Sequence, residues 1–226
     1  MFSSNCNYTT TVRDPINAFT HFVGIVASII MTAPLLIHVK STGASPSEIL
    51  SYLVFMIGAI LMYGASTAYH TFDLSEKSNI LLKKIDHCMI PIMIAGSYTP
   101  VCRIALWGGV GKPLLIAVWT FAIASIIFKL FWVTCPKWVS SLIYICMGWS
   151  CVYAIPQLLS TLPKAAFLWL LAGGIAYTVG GIFYALKPSW FEKNMSSIGN
   201  HEIFHIFVMA GSMCHYVFMY HYLPLI

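Results

Sequence analysis

The stretch HEIFH at 201–205 holds two histidines one helical turn apart, with Glu202 between them. Residues four apart share a helix face, so both imidazoles can point at one metal ion. The pattern H-E-x-x-H is that of zinc metalloproteases, in which the glutamate activates water. Further polar residues fall at the ends of other apolar runs. His70 closes one run, with Ser66 one turn before it, and Asp86 opens the next; Asn17 and His21 sit in the first turns of the first run. A catalytic tetrahedral zinc site takes three protein ligands and leaves a position open to water. His70, His201 and His205 are the candidate ligands. Asp86 is the candidate general base, oriented to accept a proton from water. Ser66, Asn17, His21 and Glu202 stand close enough in register to hold the ligands or the reacting groups.

Each residue also has a plainer reading. Helices place polar residues four apart by chance, so H-E-x-x-H alone carries little weight. His70 could cap a helix C-terminus and Asp86 a helix N-terminus. Asn17 and His21 are more often hydrogen-bond partners between helices than ligands. What raises the metal reading is convergence: four separate runs bring these groups to one level.

The elements that must position them are membrane helices. Hydrophobic residues make up 59% of the 226 residues and charged residues 8%, against about 25% charged in a soluble protein. So few charges cannot cover a soluble surface, and the net charge of +5 comes with no basic cluster that would bind nucleic acid. Seven apolar runs are long enough to span a bilayer, at Ile16–Val39, Ile49–His70, Ile85–Leu106, Pro113–Val133, Trp138–Leu159, Ala165–Leu186 and Ile203–Leu223. They fill the chain and predict one all-α domain, a bundle of seven transmembrane helices, with no cleavable leader. With the N-terminus inside, Arg13, Lys77, Lys83, Lys84, Lys129, Lys137, Lys187 and Lys193 lie on the cytoplasmic side. Lys40, Arg103, Lys112 and Lys164 lie on the other, a ratio of eight to four. Positive charge favours the cytoplasm, so the N-terminus is expected inside and the C-terminus outside. The site residues then sit at the cytoplasmic ends of their helices. Lys129, just inside its span, is expected to reach back to the interface.

Other features fit such a bundle. Ala172, Ala176 and Gly180 form a small-residue series that lets helices approach. Pro91 and Pro156 should each free a carbonyl and bend a helix. Trp107, Trp138 and Trp190 fall at interfaces. The seven cysteines (Cys6, Cys88, Cys102, Cys135, Cys146, Cys151, Cys214) are scattered and suggest no disulfide framework. His215 shares a face with His201 but lies about 20 Å along the helix, too far for the same metal, and reads as a buried hydrogen-bonded histidine. His38 and His221 read as interfacial.

Four stretches together resemble the hemolysin III proteins, the bacterial branch of the progestin and adipoQ receptor family. They are DPINAFTHFVG at 14–24, GASTAYHTF at 64–72, KKIDHCMIPIMIAGSYTP at 83–100 and GNHEIFHIFVMAGSMCHY at 199–216. The resemblance implies a seven-helix fold with a cytoplasmic N-terminus and zinc near the cytoplasmic face of the cell membrane. It maps Ser66 and His70, Asp86, and His201 and His205 onto the family's motifs. Relatives such as the alkaline ceramidases look like membrane metal-dependent hydrolases of lipid amides, and the bacterial branch is named for a cytolytic phenotype. Many relatives carry glutamate where this chain has Asp14, and the shorter side chain argues against a supporting role there. Relatives also tolerate glutamine at Glu202, which argues against Glu202 as the base.

Three functions follow as expectations. The first is a zinc-dependent hydrolase of a lipid amide or ester, with membrane lipids as partners. The second is a pore-forming cytolysin or channel, which needs polar groups through the full membrane depth. The third is a receptor-like regulator with a structural zinc, whose fourth ligand could be Asp86.

Overall fold

The computed structural model describes residues 12–186 and 199–226. Cys6, Lys187, Trp190 and Lys193 lie outside them. The described elements are all helical: α1 (Pro15–Ser41), α2 (Pro46–Thr71), α3 (Glu76–Ile104), α4 (Gly111–Phe131), α5 (Lys137–Gly148), α6 (Ile155–Thr161), α7 (Lys164–Leu186) and α8 (Asn200–His221). A 3₁₀ turn over Trp149–Ala154 joins α5 to α6, and the three pieces make one span.

The first three helices begin at a proline or at a capping serine. Pro15 opens α1 with its fixed φ. Ser45 caps α2, accepting from the Glu48 N–H while the Glu48 carboxylate accepts from the Ser45 N–H, a reciprocal box that satisfies two orphan donors. Ser75 caps α3 without the reciprocal half, its hydroxyl accepting from the Ser78 N–H.

Six of these spans, among the described residues, are long and apolar enough to cross a membrane. The exception is α3, whose first turns carry Glu76, Lys77, Lys83 and Lys84 and whose remainder is interrupted by polar residues and prolines such as Asp86, His87, Pro91, Ser97, Pro100 and Arg103. The sequence places its span from Ile85, whereas the helix starts nine residues earlier at Glu76. The part from Asp86 onward packs between α2 and α4, with Ala95 and Cys102 fully buried. It completes a seven-helix bundle, and the chain is a multi-pass integral membrane protein of the cell membrane. Side chains that face outward are large and apolar, such as Phe19, Ile30, Phe131 and Leu168, as lipid contact requires.

A tyrosine hydroxyl bonds the backbone near each of the two flagged prolines. Pro91 cannot donate to the His87 carbonyl four residues back; the Tyr144 hydroxyl of α5 donates to it instead, at 3.0 Å. Near Pro156 the fifth span unwinds. The Tyr98 hydroxyl of α3 donates to the Gly148 carbonyl and accepts from the Cys151 N–H at 2.9 Å.

Two packing expectations need correction. Ala172 is exposed, so the close α7–α8 contact does not run through it. It runs through Gly173 and Gly180. A Cβ on Gly173 would come within 2.3 Å of the His215 ring, and one on Gly180 within 2.8 Å of Phe207. Lys129 does not reach the interface either. It is 0% exposed, with its ammonium donating to Ser140 Oγ and Cys135 Sγ. Both partners lie on the loop and helix that follow α4, so the side chain turns inward to groups that its own chain folds over it.

Candidate metal centre

His70 ends α2, while His201 and His205 occupy the first two turns of α8. Their ligand-capable atoms all lie within 4.8 Å of one another. His201 Nε2 and His205 Nε2 are 3.0 Å apart. Zinc–nitrogen bonds of 2.0–2.1 Å at a tetrahedral angle put ligand nitrogens about 3.3 Å apart, so small ring movements would bring all three onto one ion.

The surroundings fix which nitrogens are free. His70 Nδ1 meets Asp14 Oδ2 at 2.9 Å, which leaves His70 Nε2 buried and without a hydrogen-bond partner. Asp14 is itself held by its backbone, its N–H donating to the His70 carbonyl at 2.9 Å. His205 Nδ1 pairs with Thr20 Oγ1 at 3.2 Å, so its Nε2 also faces the cluster. Metal-bound imidazoles commonly have their other nitrogen held in this way. The donor set fits a divalent ion that favours imidazole. Zinc, copper, nickel and iron share that preference.

The remaining predicted residues gather around the same centre. His21 stacks on His205, rings 3.5 Å apart and 7° from parallel. Asn17 Nδ2 donates to Glu202 Oε1 at 3.0 Å, and Glu202 Oε2 accepts from the Gly199 N–H at 2.9 Å. Both carboxylate oxygens of Glu202 are thereby engaged in closing the start of α8 against α1. Asp86, Ser66, His21, His201 and His205 all line one internal cavity of about 170 Å³. Asp86 Oδ2 lies 3.2 Å from the neighbouring His87 Nδ1, and Asp86 is not a member of the three-histidine group. The far part of the cavity is apolar, walled by residues such as Leu158, Phe167 and Leu170.

Profile comparison over residues 9–216 matches the family described as "Haemolysin-III related". The chain belongs to that family. It is 38% identical over 209 residues to "Hemolysin-3" of Bacillus cereus, covering 92% of this chain and 91% of that one. A "Hemolysin-3 homolog" of Bacillus subtilis is 37% identical over 203 residues, covering 89% and 91%. More distantly, the "Adiponectin receptor protein" of Drosophila melanogaster is 30% identical over 215 residues, 88% of this chain and 48% of that one.

Two contributors depart from the sequence reading, which argued against a supporting role for Asp14 and did not mention Thr20. Asp14 reaches His70 despite its short side chain, because the chain leading into α1 is hydrogen-bonded to the end of α2. Thr20 shows no motif. Its only signal is its place one residue before His21, one turn beyond Asn17. His215 behaves as expected: it is buried, its Nε2 lies 3.3 Å from the Leu170 carbonyl, and it takes no part in the cluster. His38 stacks on Tyr220 at the other end of the bundle.

Proposed function

We propose that this haemolysin-III family protein is a zinc-dependent hydrolase of an acyl lipid amide or ester, acting at the cytoplasmic end of its own helix bundle. The observation that carries the reading is the buried, unpartnered Nε2 of His70, grouped with the two α8 histidines at one end of an apolar cavity. A buried polar atom without a partner is costly, and a ligand position accounts for it. Zinc, when bound by His70, His201 and His205, supplies Lewis acidity toward a carbonyl and makes water a better nucleophile at neutral pH.

The chain's own residues then divide the work. Asp14 and Thr20 hold the His70 and His205 rings in their ligating tautomers. Asp86, which lines the cavity but stands outside the three-histidine group, accepts the proton of the attacking water. Asp86 then returns that proton to the leaving amine or alcohol. Ser66 donates a hydrogen bond to the oxyanion as it develops. Asn17 is committed to Glu202, so it serves α8 and not the oxyanion. The apolar far part of the cavity takes the acyl chain and excludes water from it.

The test is cleavage of a labelled ceramide-type substrate by protein purified in detergent. Asp86→Ala should abolish turnover while zinc remains bound. Zinc-replete protein that is inert across a broad panel of lipid amides and esters would overturn the reading.

The name of the Bacillus cereus relative favours a second reading, a cytolytic pore. Ionisable lining is richest at the histidine end, with Ser97, Tyr98, Tyr177, Thr178 and His215 scattered beyond it, so such a pore would have to form between protomers. Zinc-independent leakage of a small dye from vesicles would establish it. A receptor-like role with structural zinc needs a fourth protein ligand, and Asp86 bound directly to the metal would be its mark.

A further inference from the structure

Behind one wall of the cavity lies a buried cation that the hydrolytic reading leaves unused. Lys129, on the last turn of α4, is fully buried. Its ammonium donates to Ser140 Oγ at 2.5 Å and to Cys135 Sγ at 3.1 Å. An ammonium has three donors, and these are its two hydrogen-bond acceptors. The Phe128 and Tyr144 rings stand 5.8 and 5.9 Å away, the outer limit of cation–π attraction. No described carboxylate lies within ion-pair distance of it; Asp86 is engaged with His87 and Asp14 with His70. A charge buried among neutral partners is poorly compensated.

What Lys129 does to its neighbour matters more. Ser140 Oγ accepts from the ammonium and also lies 3.4 Å from Cys135 Sγ, where either atom can donate; with the thiol as donor, the Ser140 hydroxyl hydrogen is free to turn to the cavity that Ser140 lines. Ser141 lines it too. It is 4% exposed and its Oγ has no hydrogen-bond partner, although a helical serine ordinarily satisfies itself on the preceding turn. Ser140 and Ser141 thus line the same space as His201, His205 and Asp86, with the Lys129 charge behind Ser140. They stand at the matching depth. Tyr144, one turn beyond Ser140 on α5, is bonded to the His87 carbonyl, the residue next to Asp86.

We infer that Lys129, Ser140 and Ser141 form a subsite for an anionic group, a carboxylate or phosphate, at the polar end of the acyl lipid held in the cavity. This rests on the acyl-lipid reading above and narrows it. The preferred lipid carries a negative charge near its scissile amide or ester, unlike an uncharged ceramide. Hydrogen bonds to the anion from Ser140 and Ser141, with the Lys129 charge behind them, supply the discrimination.

The experiment is binding, so it does not depend on turnover. Full-length protein in detergent, with chelator present, is loaded with a neutral fluorescent acyl probe. The probe is displaced by N-lauroylglycine or by N-lauroylethanolamine, which share chain and amide and differ in carboxylate against hydroxyl. Dodecyl phosphate against dodecanol repeats the comparison for phosphate and shows which anion is taken. The anionic member of a pair should bind about 10- to 100-fold more tightly, the range of a charge-assisted contact. Lys129→Met should remove that preference and leave the neutral ligand unchanged. Equal affinities in the wild type, or a preference that survives Lys129→Met, would overturn the subsite. If Lys129→Met does not fold, Ser141→Ala decides. Its hydroxyl has no partner in the protein to lose, and it should cut the preference about fivefold with neutral binding intact. An unchanged preference there also overturns the proposal. Loss of hydrolysis with anion preference retained would count against the zinc-hydrolase reading alone.

Discussion

Two histidines ten residues apart on α8 have the same chemistry and opposite surroundings. His205 and His215 are both buried and both line the cavity. His205 is stacked on one histidine, lies 3.0 Å from a second and has its far nitrogen held by Thr20. His215 is pressed under Gly173 and leans its Nε2 on the Leu170 carbonyl. Burial is common to both, so burial does not make a ligand. What separates them is whether lone pairs from other helices converge on the same point.

That contrast can be broken or sharpened by substitution, beginning with the largest effect. His201→Ala combined with His205→Ala should remove essentially the whole metal equivalent on elemental analysis, whereas His215→Ala should keep it. Metal loss in the His215 variant would erase the distinction. Asp14→Asn leaves size unchanged but removes the charge behind His70. It should weaken metal affinity about 10- to 100-fold in a chelator competition, the usual cost of losing a partner behind a metal-bound imidazole. Thr20→Val, which deletes one neutral hydrogen bond to His205, should cost a few-fold in the same assay. Gly173→Ala should leave affinity untouched and lower the thermal midpoint in detergent. Its new methyl group meets the His215 ring at 2.3 Å, an overpacking cost of about 1–3 kcal/mol.

The sequence made much of this centre readable because its parts lie at helix ends. The i, i+4 spacing of His201 and His205, and the placement of His70 and Asp86 at the borders of apolar runs, survive any small error in helix boundaries. Asp14 was not readable, since its value depends on two backbone hydrogen bonds between the chain before α1 and the end of α2. Nor was the direction of Lys129. Periodicity locates a residue along a helix, but whether a long side chain turns outward or inward depends on what the following loop offers it. The fifth span shows the same limit. Composition reads it as one apolar run, and its unwinding at Trp149–Ala154 is stabilised by Tyr98 from a helix some fifty residues earlier.

The carbonyl that Pro91 frees and Tyr144 occupies has a consequence for how this sequence can change. Tyr144→Phe alone strands a buried acceptor and should cost about 1–2 kcal/mol. With alanine at position 91 the helix regains its own donor, and the same phenylalanine becomes nearly neutral. The two positions are therefore energetically coupled, and the order in which they are altered decides whether the intermediate protein is stable. Replacement of the proline first is the permissive order, since it removes the cost that Tyr144→Phe alone would carry.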